Sequence, residues 1–237
     1  MSLWDKALFS RSVDWETSWR RALWVMEGTV RKAGDQLSRL PWVAERLRFY
    51  HAWRANPQGI GAVVPSSARL ARAITRHVSA AHGPVIELGS GTGVFTRALL
   101  DCGVAERDLA LVEMDTHFAQ QLAQDFPQAE LHAMDASKLA RQTVFDGRAA
   151  GAAICGLPLL NFPLKTRIGI LRGTFAHLAP GGAFYFFTYG LHCPLPRRVL
   201  DHLGLRARKI DLVLVNVPPA HVWRVTRRGA CGHRHTA

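Results

Sequence analysis

Nine residues hold the densest chemistry in the chain: Val85-Ile86-Glu87-Leu88-Gly89-Ser90-Gly91-Thr92-Gly93. The apolar run reads as a short buried strand that opens into a glycine-rich turn, and residues 92–100 behind it read as a helix. Gly89, Gly91 and Gly93 lack a Cβ, so backbone N–H groups can approach a ligand closely at the helix start. Glu87 selects the ligand. A carboxylate two residues before the first glycine repels a pyrophosphate and attracts a cation. Two more carboxylates follow in order, Glu113 closing Leu-Val-Glu and Asp135 within Met-Asp-Ala. Both fall at the ends of predicted strands, where ligands of open α/β sheets bind. An isolated acidic residue at a strand end is more often a helix cap, so it is the ordered set of glycine loop, Glu113 and Asp135 that carries the signal. A dinucleotide-binding loop also pairs glycines with an acidic residue about twenty positions on. Its third glycine comes three residues after the second, whereas Gly93 comes two after Gly91, and Glu87 argues against it too.

The pattern Glu-x-Gly-x-Gly-x-Gly resembles the first motif of Rossmann-like methyltransferases, which bind S-adenosylmethionine, a sulfonium cation with an amino-acid tail. In that setting Glu87, Gly89, Gly91 and Gly93 form the cofactor loop. Glu113 would accept both ribose hydroxyls, and Asp135 would bond the adenine amino group. After the fourth predicted strand comes Gly156-Leu157-Pro158-Leu159-Leu160-Asn161. Adenine-N6 and related amino methyltransferases place Asn or Asp, any residue, Pro and an aromatic here, and the aromatic stacks on a flipped base. This chain has Gly156 in place of the polar residue and Leu159 in place of the aromatic, so a base is a poor substrate. A backbone carbonyl able to hold an amine remains, and the run also suits a plain tight turn. Gly156 is expected beside the cofactor and Asn161 among the catalytic groups.

The elements that must position these residues read as α/β. Strands are predicted over 85–88, 109–112, 130–133, 152–155 and 183–188, and a closing hairpin over 210–217 and 222–226 around Pro218-Pro219. Helices are predicted over 65–81, 165–178 and 196–203, the second stopped by Pro180-Gly181-Gly182. Alternation of this kind implies a mostly parallel sheet with helices on both faces. The expected architecture is a Rossmann-like class I methyltransferase sheet of seven strands with the last antiparallel, preceded by amphipathic helices. Residues 1–57 form the helical region, 58–228 the methyltransferase domain and 229–237 a disordered tail.

In the first region, Trp15, Trp19, Leu23, Met26, Val30, Ala33 and Leu37 mark one face of a helix over 14–39, and a second helix is predicted over 42–54. Of seven tryptophans, five lie in the first 42 residues. The stripe suits packing on the main domain or a second subunit. It equally suits a helix lying at a lipid–water boundary, with Trp in the apolar layer and Arg in the polar one. Net charge is +12, divided as +4 over residues 1–57, +1 over 58–196 and +7 over 197–237. The catalytic-looking centre is therefore near neutral and both ends are basic, which favours an anionic partner surface. Cys102, Cys155, Cys193 and Cys231 form no C-x-x-C pair, so neither a zinc site nor a disulfide framework is implied. No metal is expected, the Cys231-Gly232-His233-Arg234-His235 run lying in the tail. Residues 1–10 lack the apolar core of a signal peptide. The apolar stretch 149–164 is broken by glycines and prolines, too short to span a bilayer.

Several runs together are similar to bacterial phospholipid N-methyltransferases, across roughly residues 45–228. They are Asn56-Pro57, Ile60-Gly61-Ala62-Val63-Val64-Pro65-Ser66-Ser67, the glycine loop and Gly156-Leu157-Pro158-Leu159-Leu160-Asn161. Phe187-Thr188-Tyr189-Gly190, Cys193-Pro194, Asn216-Val217-Pro218-Pro219-Ala220 and Val222-Trp223-Arg224 complete the set. That family is itself similar to ribosomal RNA adenine dimethyltransferases. The resemblance implies stepwise methylation of phosphatidylethanolamine towards phosphatidylcholine, with S-adenosylhomocysteine as by-product. It also implies a cytoplasmic enzyme held peripherally on the inner face of the cytoplasmic membrane, with phospholipid and not nucleic acid as partner. On this reading Tyr189 orients the amine or takes its proton through water, and His192 is a second base candidate. Phe187 with Tyr50 or Trp53 holds methylated ammonium by cation–π attraction, and Arg224 binds the lipid phosphate. The alternatives are an RNA adenine-N6 methyltransferase, which the basic ends permit, and an enzyme acting on another amino lipid such as ornithine lipid.

Overall fold

The computed structural model describes residues 65–189, 192–213 and 220–228. The segments 14–39 and 42–54, for which helices are expected, with Tyr50 and Trp53, and the tail lie outside the described residues.

Seven strands form one sheet: β1 (Val85–Leu88), β2 (Leu109–Glu113), β3 (Glu130–Ala133), β4 (Ala150–Cys155), β5 (Leu178–Thr188), β6 (Leu205–Val213) and β7 (Ala220–Arg227). Their order is β3-β2-β1-β4-β5-β7-β6. The first five run parallel, and β7 pairs antiparallel with both β5 and β6. The helices are α1 (Pro65–Thr75), α2 (Val94–Asp101), α3 (Thr116–Asp125), α4 (Leu164–His177) and α5 (Arg197–His202). Every residue of β1 and β2 is buried, as expected of central parallel strands covered on both faces. Two cores result. Leu70 and Ile74 of α1, Leu99 of α2 and Leu122 of α3 pack with Val85, Leu111 and Ile154 on one face. Ile170, Leu171 and Phe175 of α4 and Leu200 of α5 pack with Ile86, Phe184 and Phe186 on the other. Successive strands are added outward on one side from β1 to β3 and on the other side from β4 on, so the crevice between the parallel pair β1 and β4 is the topological switch point.

Several boundaries differ from expectation. Helix α1 ends at Thr75 and not near residue 81. Strand β5 begins at Leu178, ahead of the glycines, and the β4–β5 register jumps from Ala150↔Leu178 to Ala152↔Ala183 to absorb them. Strand β6 starts at Leu205, five residues before the expected start, and ends at Val213. As the edge of the sheet it places Arg206, Arg208 and Lys209 among apolar neighbours, which hides the strand in a polar-looking stretch. Between β3 and β4 the chain makes two short 3₁₀ turns, Ala136–Arg141 and Phe145–Gly147, and no α-helix. Carbonyls at the junction of α4 and β5 are claimed by one side chain of β7: Arg227 donates to Ala179 O at 2.9 Å, to Leu178 O at 3.1 Å and to Phe175 O. Among the described residues no helix is long and apolar enough to cross a membrane.

Candidate active site

Three backbone hydrogen bonds carry the sheet one residue past its strands. Gly89 N–H donates to Val112 O (2.8 Å), Gly156 N–H to Leu88 O (2.9 Å) and Met134 N–H to Glu113 O (2.9 Å). They bring the loops after β1, β2, β3 and β4 to one edge. Gly89, Gly91 and Gly93 have φ of 72°, 53° and 76°, the left-handed region that glycine occupies without strain. Space is equally short. A Cβ on Gly89 would lie 2.3 Å from Leu157 Cδ2, and one on Gly156 would lie 2.9 Å from Gly89 O. The loops after β1 and β4 are thus interlocked, and the Gly156-Leu157 run is a packing partner of the glycine loop.

Glu87 is fully buried. Its Oε2 accepts from Thr96 Oγ1 at 2.7 Å, while its Oε1 has no hydrogen-bond partner. Burial, with the nearby Glu113 carboxylate adding to it, pushes its pKa up to about 8 against the pull of the Thr96 hydrogen bond. An orphaned buried carboxylate oxygen is rare and calls for a partner. A cation or ammonium donor meets that need.

Glu113 is buried at the end of β2, and its carboxylate is already at work. Oε2 accepts from Gly91 N–H and Oε1 from Asp115 N–H, each at 2.9 Å. It therefore holds the glycine loop from the neighbouring strand. Asp135 caps the turn at Ala136–Arg141 by accepting from Ser137 N–H at 2.8 Å, the cap role that its position allowed. Met114, 60% exposed beside Glu113, presents an apolar surface at the same edge.

Tyr189 and Phe187 are brought to this edge and joined by a ring that the sequence reading missed. Phe95 of α2 lies 6.2 Å from Phe187, and Phe187 meets Tyr189 edge-on at 5.5 Å. A Cβ on Gly156 would lie 3.3 Å from the Phe95 ring, so the aromatic row borders the mouth of β4. The Pro158 carbonyl, expected to hold an amine, accepts Asn161 N–H at 2.9 Å within the Leu159–Asn161 turn. Leu159 points into the core, while Asn161 and His192 are exposed. Arg224 is not gathered with the rest. It lies opposite Tyr185, three residues down β5 from Thr188. Thr96 and Phe95 were missed because a helix start of mixed Val, Phe and Thr carries no sign of which side chain turns towards Glu87.

This sheet order, its antiparallel last strand and its glycine-loop edge make the Rossmann-like class I methyltransferase fold. No family model matches the chain. It is 28% identical over 136 residues, 54% of its length and 70% of the relative's, to an ornithine lipid N-methyltransferase of Singulisphaera acidiphila. Among solved structures it resembles the DhpI–SAH complex, with 19% identity, 78% of this chain and 96% of that one covered and a TM-score of 0.54. It also resembles the sugar N-methyltransferase KedS8 of a Streptoalloteichus species, with 14% identity, 74% and 92% covered and a TM-score of 0.53.

Proposed function

We propose that the protein is an S-adenosylmethionine-dependent N-methyltransferase acting on the headgroup amine of a membrane lipid. The observation that carries the cofactor reading is the buried, half-satisfied Glu87 carboxylate beneath a glycine loop that Glu113 holds open. S-adenosylmethionine fits those residues: its positive charges answer the unpartnered Glu87 oxygen, its ribose suits the Glu113 carboxylate at the end of β2, and its purine suits the exposed apolar surface of Met114. When bound, it supplies a methyl group on a sulfonium centre and leaves as S-adenosylhomocysteine.

The protein's own share of the work is positioning and exclusion of water. The acceptor must present a neutral nitrogen. Phe95, Phe187 and Tyr189 offer faces that favour an ammonium, so a partly methylated headgroup can stay for a further round. The Tyr189 hydroxyl orients the amine or takes its proton through water. The acceptor reading leans on the resemblance to phospholipid N-methyltransferases and on the ornithine lipid N-methyltransferase relative. Phosphatidylethanolamine is the first acceptor to test and ornithine lipid the second. Peripheral attachment to the inner face of the cytoplasmic membrane belongs to the same proposal.

The full chain, incubated with methyl-labelled cofactor and vesicles holding either lipid, should place label in the lipid extract. Label that appears only in an added RNA would reject the acceptor. No retention of S-adenosylhomocysteine by calorimetry would reject the cofactor.

A further inference from the structure

Beyond the cofactor edge, the β6–β7 ribbon bears a cleft of about 370 Å³ lined by Arg206, Arg224, Arg227, Arg228, Thr226 and the Pro180-Gly181 turn. Its position follows from the register. Thr226 lies opposite Ala183 and Arg224 opposite Tyr185, so the cleft runs from three to five residues down β5 from Thr188. At about 3.3 Å per residue that is roughly 10–17 Å from the cofactor edge. Helix α1 ends at Thr75, and His77 stacks on Tyr185 at 5.9 Å. Past that stack, no helix among the described residues covers this face of the ribbon.

The charges on this face are arranged against their own repulsion. Arg208 lies directly opposite Arg224, and Arg206 occupies the next rung opposite Thr226. Like charges facing each other across an antiparallel pair destabilise it. The carboxylates within reach are already engaged. Asp211 pairs with Arg76 at 2.6 Å, and Asp201 pairs with Arg228. Arg227 is occupied by the carbonyls at the end of α4. Among the described residues no carboxylate pairs with Arg206, Arg208 or Arg224. Two of these are nonetheless aimed. Arg206 Nε donates to Thr226 Oγ1 at 3.1 Å, and Arg224 sits directly across the strand pair from Tyr185. Each keeps most of its five N–H donors for another partner.

Guanidinium forks that line one cleft together with a threonine hydroxyl and a glycine turn suit the oxygens of a phosphate group. We infer that this cleft is a phosphate-binding site, formed by Arg206 and Arg224 with support from Arg208, and separate from the methyl-transfer edge. A phosphate bound here neutralises the cross-strand repulsion. Because of the distance, it is not the phosphate of the acceptor being methylated. The group comes either from a soluble phosphate ester or from an anionic lipid headgroup at the membrane surface. The inference does not depend on which amine the enzyme methylates.

The test uses the full chain at about 20 mM salt, where screening is weak. Inorganic phosphate is titrated by calorimetry, and vesicles of phosphatidylcholine with and without phosphatidylglycerol are assayed by flotation. The double variant R206Q/R208Q is compared with the parent, and its retained binding of S-adenosylhomocysteine shows that it folds. Phosphate binding that falls at least tenfold in the double variant establishes a site for soluble phosphate. A loss of at least tenfold confined to phosphatidylglycerol vesicles establishes a headgroup site. Arg206→Lys, which keeps charge and loses the fork, should weaken either by several-fold. If parent and double variant behave alike with both probes, or if Arg206→Lys matches the parent, the site does not exist as described.

Discussion

The edge above β1 and β4 and the outer face of the β6–β7 ribbon handle charge in opposite ways. At the edge the ionisable groups are few and buried. Glu113 gives both oxygens to backbone amides, and Glu87 gives one oxygen to Thr96 and leaves the other without a partner. On the ribbon the charges are many, mostly exposed and mostly positive, and Arg208 faces Arg224. A buried site with one vacancy is preorganised for one small ligand, and its selectivity comes from desolvation. An exposed array of cations keeps its hydration and responds to salt. The two regions should therefore fail differently when altered.

The largest effect is expected at the interlocked glycine. Gly89→Ala forces a side chain into a left-handed conformation and into Leu157, at a cost of about 2–4 kcal/mol. Its melting temperature should fall, and retention of the cofactor should disappear. Adding Leu157→Ala should restore part of the stability and little of the binding. An unchanged melt in the single variant would show that the two loops are not locked.

Glu87 comes next and separates stability from affinity. Its pKa rises from an ordinary 4.5 to about 8 on folding, so the native state holds the extra proton between those values. Stability of the free protein then falls as pH rises from about 4.5 to 8, by a few kcal/mol in all. Affinity for a cationic cofactor should rise over pH 6–8 as the carboxylate forms. Glu87→Gln should flatten the pH dependence of the melt, raise stability at pH 8 and weaken cofactor binding at least tenfold. Parallel melts at pH 6 and 8.5 with calorimetry decide the matter, and a parent melt that does not change with pH would sink this account.

Smaller changes are expected in the aromatic row. Phe187→Leu should lower kcat/KM for a partly methylated acceptor by roughly tenfold, about 1.4 kcal/mol, and less for the primary amine. Asn161→Ala and His192→Ala remove exposed side chains and should alter rates no more than about twofold. A hundredfold loss in either would return it to the catalytic set. Smallest of all, Asp211→Asn breaks the partly exposed pair with Arg76 and should cost about 1 kcal/mol, less at high salt.

The parts of the chain that announced themselves are those whose local pattern and tertiary setting agree. Val85–Leu88 and Glu130–Ala133 were read at their observed limits, and the glycine loop, Glu113 and Asp135 fell at strand ends as expected. Strand β6 was hidden by the basic residues that its edge position permits. Leu159 is apolar in either reading, and only the fold shows that it turns inward instead of facing an acceptor. The grip of Glu113 on Gly91 spans 22 residues and the stack of Phe95 on Phe187 spans 92, so no local spacing reveals either. Arg224 was read as a substrate contact because its place in a hairpin did not reveal how far down the sheet it lies.

Strand β7 sits between β5 and β6, and this sets the order in which a growing chain can complete itself. Strand β6 is synthesised before the segment that must bridge it to the rest, so it has no neighbour to zip onto. Meanwhile β5 leaves the ribosome with one flank open. At ~5–20 residues per second, the wait from Thr188 to Arg227 lasts roughly 2–8 s. During it Phe184 and Phe186 stand on an unsealed border. Insertion of the final strand closes two ladders at once, and Arg227 then clasps the end of α4. Nascent chains stalled before residue 220 should thus be the species that chaperones bind and proteases remove.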